Sequence, residues 1–179
     1  LTGRGLAVPS PGWPRALRFH PALEWSMGRV YEEVTGPSGP PPRLIACGRR
    51  YPALIAAVTD LSGDVAAIWR IYLDHETGQK ADVDPVKVGL GQKQGHACEL
   101  FPIGPDGELH LGEGLESSLA VAEMIHWRYG VWSALDAGNL VHIARNLPPE
   151  VRRLTIWQDG DLRKRNVETG REIEPTGPR

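Results

Sequence analysis

The hydrophobic period of this 179-residue chain changes near Gly112. Upstream of it, apolar residues come in short runs bounded by turn formers. Ala53-Leu54-Ile55-Ala56-Ala57-Val58 is a continuous apolar run with the length of a buried strand. Ser62-Gly63-Asp64 is turn chemistry, and residues 65–73, rich in β-branched and aromatic side chains, read as the partner strand of a hairpin. Residues 74–87 read as polar loop, 97–103 as a strand, Pro105-Asp106-Gly107 as a turn and 108–111 as a short strand. Downstream, Leu115, Leu119, Ala122 and Ile125 recur at i, i+4, i+7 and i+10, one face of a helix of about four turns, which Gly130 is expected to end. A short strand at 131–135 follows, then a second helix capped by Asn139 and running through Arg145, stopped by Pro148-Pro149, then a buried strand at 154–157. The first half therefore reads as antiparallel β and the second as β-α-β-α-β, the pattern of a parallel sheet.

Composition narrows the function classes. Hydrophobic residues make up 41 % of the chain, enough for a core, and no apolar run approaches the length of a membrane-spanning helix. A net charge of -2 rules out a polycation that binds nucleic acid by bulk charge. The two cysteines, Cys47 and Cys98, contain no CxxC between them, so no zinc site is expected in this chain and a reduced, cytoplasmic setting fits. The chain opens on Leu1 without a signal-peptide pattern, as a fragment or a processed product would.

Charge is unevenly distributed. Residues 1–58 carry seven Arg and three Glu, residues 59–140 five basic and thirteen acidic groups, and residues 141–179 eight basic and six acidic groups. An acidic middle between basic ends suits a metal centre flanked by nucleic-acid contacts, and scattered surface charge produces it as well. Nine of the sixteen prolines lie in residues 1–60, and Gly36 to Pro42 reads as a linker or a long hairpin loop. Three units are expected: a Pro/Gly-rich segment with short strands at 1–51, a β-rich subdomain at 52–107 and an α/β domain at 108–179.

Two acidic features fall at strand ends in the α/β part. Glu113-Gly114 follows the strand at 108–111 and opens a helix, and Asp159-Gly160-Asp161 follows the strand at 154–157. In open parallel sheets ligands bind outside the carboxyl ends of the strands, so both features belong to one rim. Asp159 and Asp161 are i and i+2, and an extended backbone points both carboxylates the same way. Three carboxylates together need a cation. Oxygen donors favour Mg²⁺, which keeps waters and takes phosphate oxygens, and such a site supports phosphoryl or nucleotidyl transfer.

The runs L-H-L-G-E-G-L-E-S-S-L-A at 109–120, V-W-S-A-L-D-A-G-N-L at 131–140 and L-T-I-W-Q-D-G-D at 154–161 resemble a Toprim domain of phage-, plasmid- and integrated-element primase proteins. The upstream stretches L-R-F-H-P-A-L at 17–23, P-A-L-I-A-A-V-T-D at 52–60, W-R-I-Y-L-D at 69–74 and K-A at 80–81 with Lys87 are similar to the β-rich part that precedes it. The resemblance implies an α+β chain, a β-rich N-terminal region feeding a Toprim-like α/β domain with a mainly parallel sheet. It implies an enzyme that uses Mg²⁺, with Mn²⁺ able to substitute, and NTPs to make RNA primers on a single-stranded DNA template. A helicase or zinc-binding domain in a longer parent protein and no membrane are the expected partners. Glu113 matches the family glutamate, as metal ligand or general acid/base, and Asp159 and Asp161 match the metal-binding aspartates. Trp69 stands where the family often has a histidine, Gln158 where a small apolar residue is usual, and the stretch after Asp161 is shorter than the family's helix and strand. A Toprim nuclease using the same carboxylates, and a degenerate nucleic-acid-binding module, are the alternatives.

Several basic residues are candidates for nucleotide or nucleic-acid contacts. Lys87 and Lys93 flank the Gly89–Gly95 stretch, which is either a phosphate-touching basic loop or a hairpin loop with surface lysines. Arg70 lies between Trp69 and Ile71, where it either reaches the catalytic face or forms a sheet-edge ion pair. Arg163 and Lys164 suit a backbone contact and equally a solvated charge run. Glu116 on the first helical turn suits the helix dipole. The six histidines show no ligand spacing, and Trp132 and Trp157 are expected in the core.

Overall fold

The computed structural model describes residues 12–31, 43–127, 130–159, 164–165 and 172–173. In chain order the elements are β1 (Leu17–Glu24), β2 (Val30–Tyr31), β3 (Leu44–Ala46), β4 (Arg50–Thr59), β5 (Val65–Tyr72), β6 (Lys87–Gly91), β7 (Cys98–Phe101), β8 (Glu108–Gly112), α1 (Leu115–Met124), β9 (Gly130–Ser133), α2 (Ala137–Ala144), β10 (Arg153–Trp157), β11 (Lys164–Arg165) and β12 (Glu172–Ile173). The chain is α+β and rich in strands. Among the described residues no helix is long and apolar enough to cross a membrane.

The first sheet has the order β1-β4-β5-β6 and is antiparallel throughout. The expected hairpin is β4–β5, closed by the Asp60 carboxylate, which accepts the Ser62 and Asp64 N–H groups at 2.8 and 3.0 Å. Strand alternation sorts the side chains. Ala56 and Val58 of β4 and Ala67 and Ile71 of β5 face a core shared with Leu115, Leu119 and Ala122 of α1, whereas Ala53, Tyr72 and Val88 form a separate cluster. The Gly89–Gly91 stretch, read as loop, is paired as β6. Its glycine backbone is covered by an aromatic ring: a Cβ on Gly89 would lie 2.9 Å from the Trp69 side chain. β1 brings the proline-rich first segment into this sheet, and the boundary placed after residue 51 falls inside β4.

The second sheet has the order β10-β8-β9-β7. β8 is parallel to both β9 and β10, and β7 closes the edge antiparallel to β9. β7, from the stretch before the boundary at 107, thus belongs to the sheet of the α/β part. A Thr59–Ala97 bridge ties the end of β4 to the chain entering β7. The step β8→α1→β9 runs one way across the sheet and β9→α2→β10 runs back over β8. Right-handed crossovers in opposite directions put their helices on opposite faces. The packing agrees: α1 meets Val131, while Leu140 and Ile143 of α2 meet Leu109, Leu111 and Trp132.

Both helices depart in detail from the sequence reading. α1 has ten residues and ends well before Gly130, which begins β9. The chain leaves it through His126 and Trp127 at φ 55° and 58°, with the Trp127 N–H donating to the Ala122 carbonyl at 2.8 Å. The exit turns the partly buried Trp127 ring onto Phe101, 5.3 Å between centroids. The cap of α2 is Asp136 rather than Asn139: its carboxylate accepts the Asn139 N–H at 3.0 Å. The side chain of Asn139 is committed elsewhere.

Gly112 sets how closely α1 approaches the sheet. A Cβ there would lie 2.2 Å from Ser118 Oγ and 3.1 Å from Ser118 Cα, and Ser118 is fully buried with its hydroxyl donating to the Gly114 carbonyl at 2.7 Å. Gly112→Ala is therefore expected to push α1 outward and to cost about 1–3 kcal/mol, read as a lower urea midpoint at unchanged slope.

Candidate functional site

The three parallel strands end on one rim. β8 delivers Glu113 there, β10 delivers Asp159, and β9 delivers Asp136 three residues past its last paired position, Ser133. The loops after β8 and β10 are tied together. The Glu113 N–H donates to the Trp157 carbonyl at 2.9 Å, and the Asp159 N–H donates to Glu113 Oε2 at 3.3 Å. Residues 46 positions apart in sequence thus share a hydrogen bond. The hydroxyl of Ser117, on the first turn of α1, donates to Asp159 Oδ1 at 2.5 Å. Glu113 is half-buried and Asp159 exposed. Beneath the rim Trp157 Nε1 donates to His110 Nδ1 at 3.0 Å, which locks β10 to β8. Burial lowers the His110 pKa against the opposing pull of the Glu108 carboxylate.

Asp161 and Arg163 lie outside the described residues, and so does the Gly36–Pro42 run. Lys164 lies in β11, paired with Ile173 of β12. Among the described residues no group of three or more His, Cys, Asp and Glu side chains is arranged to hold a metal. Glu113 and Asp159 form a pair of hard oxygen donors, and such a pair fits a divalent cation that keeps most of its waters.

The basic candidates fare differently. Lys93 is held by an ion pair with Asp136 and lies 5.4 Å over the Trp69 ring, so its charge serves the contact between the two sheets. Arg70 donates to the Val88 and Gly89 carbonyls at 3.2 and 3.4 Å. It alternates with Trp69 and Ile71, which pack toward α1, so it points to the opposite face of the first sheet, away from the carboxylate rim, and it forms no ion pair among the described residues. Lys87 opens β6 and is exposed.

Two residues escaped the sequence reading. Ser117 carries no local signal of a role, and its contact with Asp159 depends on how α1 lies against the end of β10. Asn139 was read as a cap. Instead its Oδ1 accepts the Gly95 N–H at 2.8 Å, and its Nδ2 faces the carbonyls of Lys93, His96 and Ala134 at 3.2, 3.0 and 3.1 Å. A polar cleft of about 430 Å³ lies beside this clamp, lined by Gln92, Lys93, Gln94, Asp136 and His142 among others.

A family model described as a domain of unknown function, DUF7146, matches residues 1–100, more than half of the chain. The chain belongs to that family. The DUF7146 match takes in the first sheet and most of β7 and stops before β8, so Glu113, Ser117 and Asp159 lie beyond it. The chain matches no curated protein and no solved structure.

Proposed function

We propose that the region after residue 107 is a Toprim-like centre that binds Mg²⁺ and supports primase-type nucleotidyl transfer, making RNA primers on single-stranded DNA in the replication of a phage, plasmid or integrated element. The observation that carries this reading is the hydrogen bond from the Asp159 N–H to the Glu113 carboxylate at the carboxyl rim of a β-α-β-α-β unit. Glu113 and Asp159 hold the cation, and Asp161 completes the set. A bound Mg²⁺ supplies neutralising charge to phosphate oxygens. Glu113, set at the end of β8 and hydrogen-bonded to the Asp159 N–H, is also the group within reach to accept or return a proton. The substrates are NTPs and the template is single-stranded DNA, in a cytoplasmic setting, and a helicase or a zinc-binding domain in a longer parent protein is the partner.

The test is Mn²⁺ binding, by water proton relaxation, to the unaltered chain and to an Asp159→Asn/Asp161→Asn double variant. The unaltered chain is expected to bind and the double variant to lose affinity at least about a hundredfold, because two anionic ligands are neutralised. Equal binding, or none in either, overturns the reading. NTP-dependent growth of product on single-stranded DNA then separates primer synthesis from a nuclease, which shortens its substrate without NTPs.

A further inference from the structure

We infer that Ser117 is the positioning residue of this centre, holding the Asp159 carboxylate in the rotamer that receives the cation. The inference rests on the metal reading above. Asp159 is exposed and ends a strand, so without a partner its side chain would sample several rotamers, and a cation would have to select one. The helix α1 supplies the restraint. Its N-cap is Gly114, which has no side chain to cap the first turn, and the carboxylate of Asp159 lies beside that end. Oδ1 accepts from Ser117 Oγ at 2.5 Å, and Oδ2 lies 3.6 Å from where a Cβ of Gly114 would stand. A carboxylate at a helix amino end is also favoured by the dipole.

The serine itself is placed by two close contacts that do not involve the cation. Gly112 lets α1 sit against β8, and the buried Ser118 next to it hydrogen-bonds the Gly114 carbonyl. The helix turn bearing Ser117 is therefore fixed by packing, while the loop bearing Asp159 leaves the end of β10. Ser117 transfers the order of the helix to the aspartate. The hydroxyl engages Oδ1 of Asp159, and among the described residues Oδ2 is the oxygen left to serve as a ligand. The Asp159 N–H, donating to Glu113 Oε2, aligns the second carboxylate beside it.

The experiment uses the full chain and the variants Ser117→Ala and Ser117→Thr. Scalar couplings across Asp159 χ1 are measured without metal, and Mn²⁺ affinity by electron paramagnetic resonance. Ser117 is half-buried, so both variants are expected to fold, with circular dichroism as the check. Ser117→Ala is expected to average the couplings and to weaken Mn²⁺ binding about tenfold, the usual scale for an outer partner of a metal ligand, while Ser117→Thr restores both. Mn²⁺ affinity unchanged in Ser117→Ala, in a chain that loses it in Asp159→Asn, overturns the role of Ser117 alone. A fixed Asp159 rotamer in a chain that binds no Mn²⁺ overturns the metal reading and, with it, this role.

Discussion

Asn139→Ala is expected to lower stability by about 3 kcal/mol and the thermal midpoint by about 10 °C. Asn139 is 2 % exposed, and its amide makes contacts on both ends: one accepted from Gly95 and three carbonyls facing Nδ2, one of them within its own helix-entry loop. An amide nitrogen has two hydrogens, so the three carbonyls share them. Alanine removes all of these partners from a buried place, and the Gly95 N–H and the stranded carbonyls must find water or stay unpaired. The damage is local in origin. The 93–96 turn is otherwise held by the Lys93–Asp136 pair and by Gln94, whose Nε2 lies 3.0 Å from His142 Nε2, and both are partly open to solvent. Hydrogen exchange at the Gly95 amide is expected to accelerate ahead of global unfolding. Asn139→Asp keeps the acceptor for Gly95 but turns a second oxygen toward three carbonyls, and is expected to be at least as damaging. A loss below about 1 kcal/mol for Asn139→Ala would show that the turn is carried by those outer contacts.

The two cysteines are expected to behave as different reagents. Cys47 is exposed and Cys98 is fully buried in β7, and neither is in a disulfide. Burial, helped by the neighbouring Glu99 charge, pushes the Cys98 thiol up to about 12. Since the thiolate is the nucleophile, iodoacetamide at pH 8 is expected to label Cys47 at an ordinary rate and Cys98 at least about a thousandfold more slowly, through opening of the fold. Stability follows the same difference. The folded pKa lies above the unfolded value, so the contribution is complete below about pH 9 and is lost as pH rises toward 12, at about 1.4 kcal/mol per pH unit and about 4 kcal/mol in all. Urea unfolding of the wild type and of Cys98→Ala between pH 8 and 11 isolates this slope, because every other titrating group is common to both chains. Rapid labelling of both thiols in the folded chain would overturn the assignment.

The elements with a strong period were legible before any coordinates. The β4–β5 hairpin follows from an apolar run, the Ser62-Gly63-Asp64 turn and a β-branched partner, all within a few residues of one another. The succession β8, α1, β9, α2, β10 follows from the switch of hydrophobic period, and its parallel pairing follows from the intervening helices. What stayed hidden involved partners far apart in the chain. β6 reads as a loop because glycines carry no β signal, and its place in the sheet comes from pairing with β5, whose Trp69 ring covers Gly89. The end of α1 was misplaced because its stop is a left-handed exit at His126 and Trp127 that Phe101 holds from another strand.

The sequence by itself determined the alternation of strands and helices, the placement of Glu113 and Asp159 just past strand ends, and their shared rim, because periodicity and strand polarity are properties of local residues. Only the tertiary structure decided which side chains meet there. It joined Asp159 to Ser117 and Glu113, turned Arg70 away from the rim, spent Lys93 on Asp136 and Trp69, and gave Asn139 a loop to clamp instead of a helix to cap. Those outcomes depend on the close approach of α1 at Gly112 and on the contact between the two sheets. Such distances are set by packing across more than 40 residues of sequence, which no local pattern encodes.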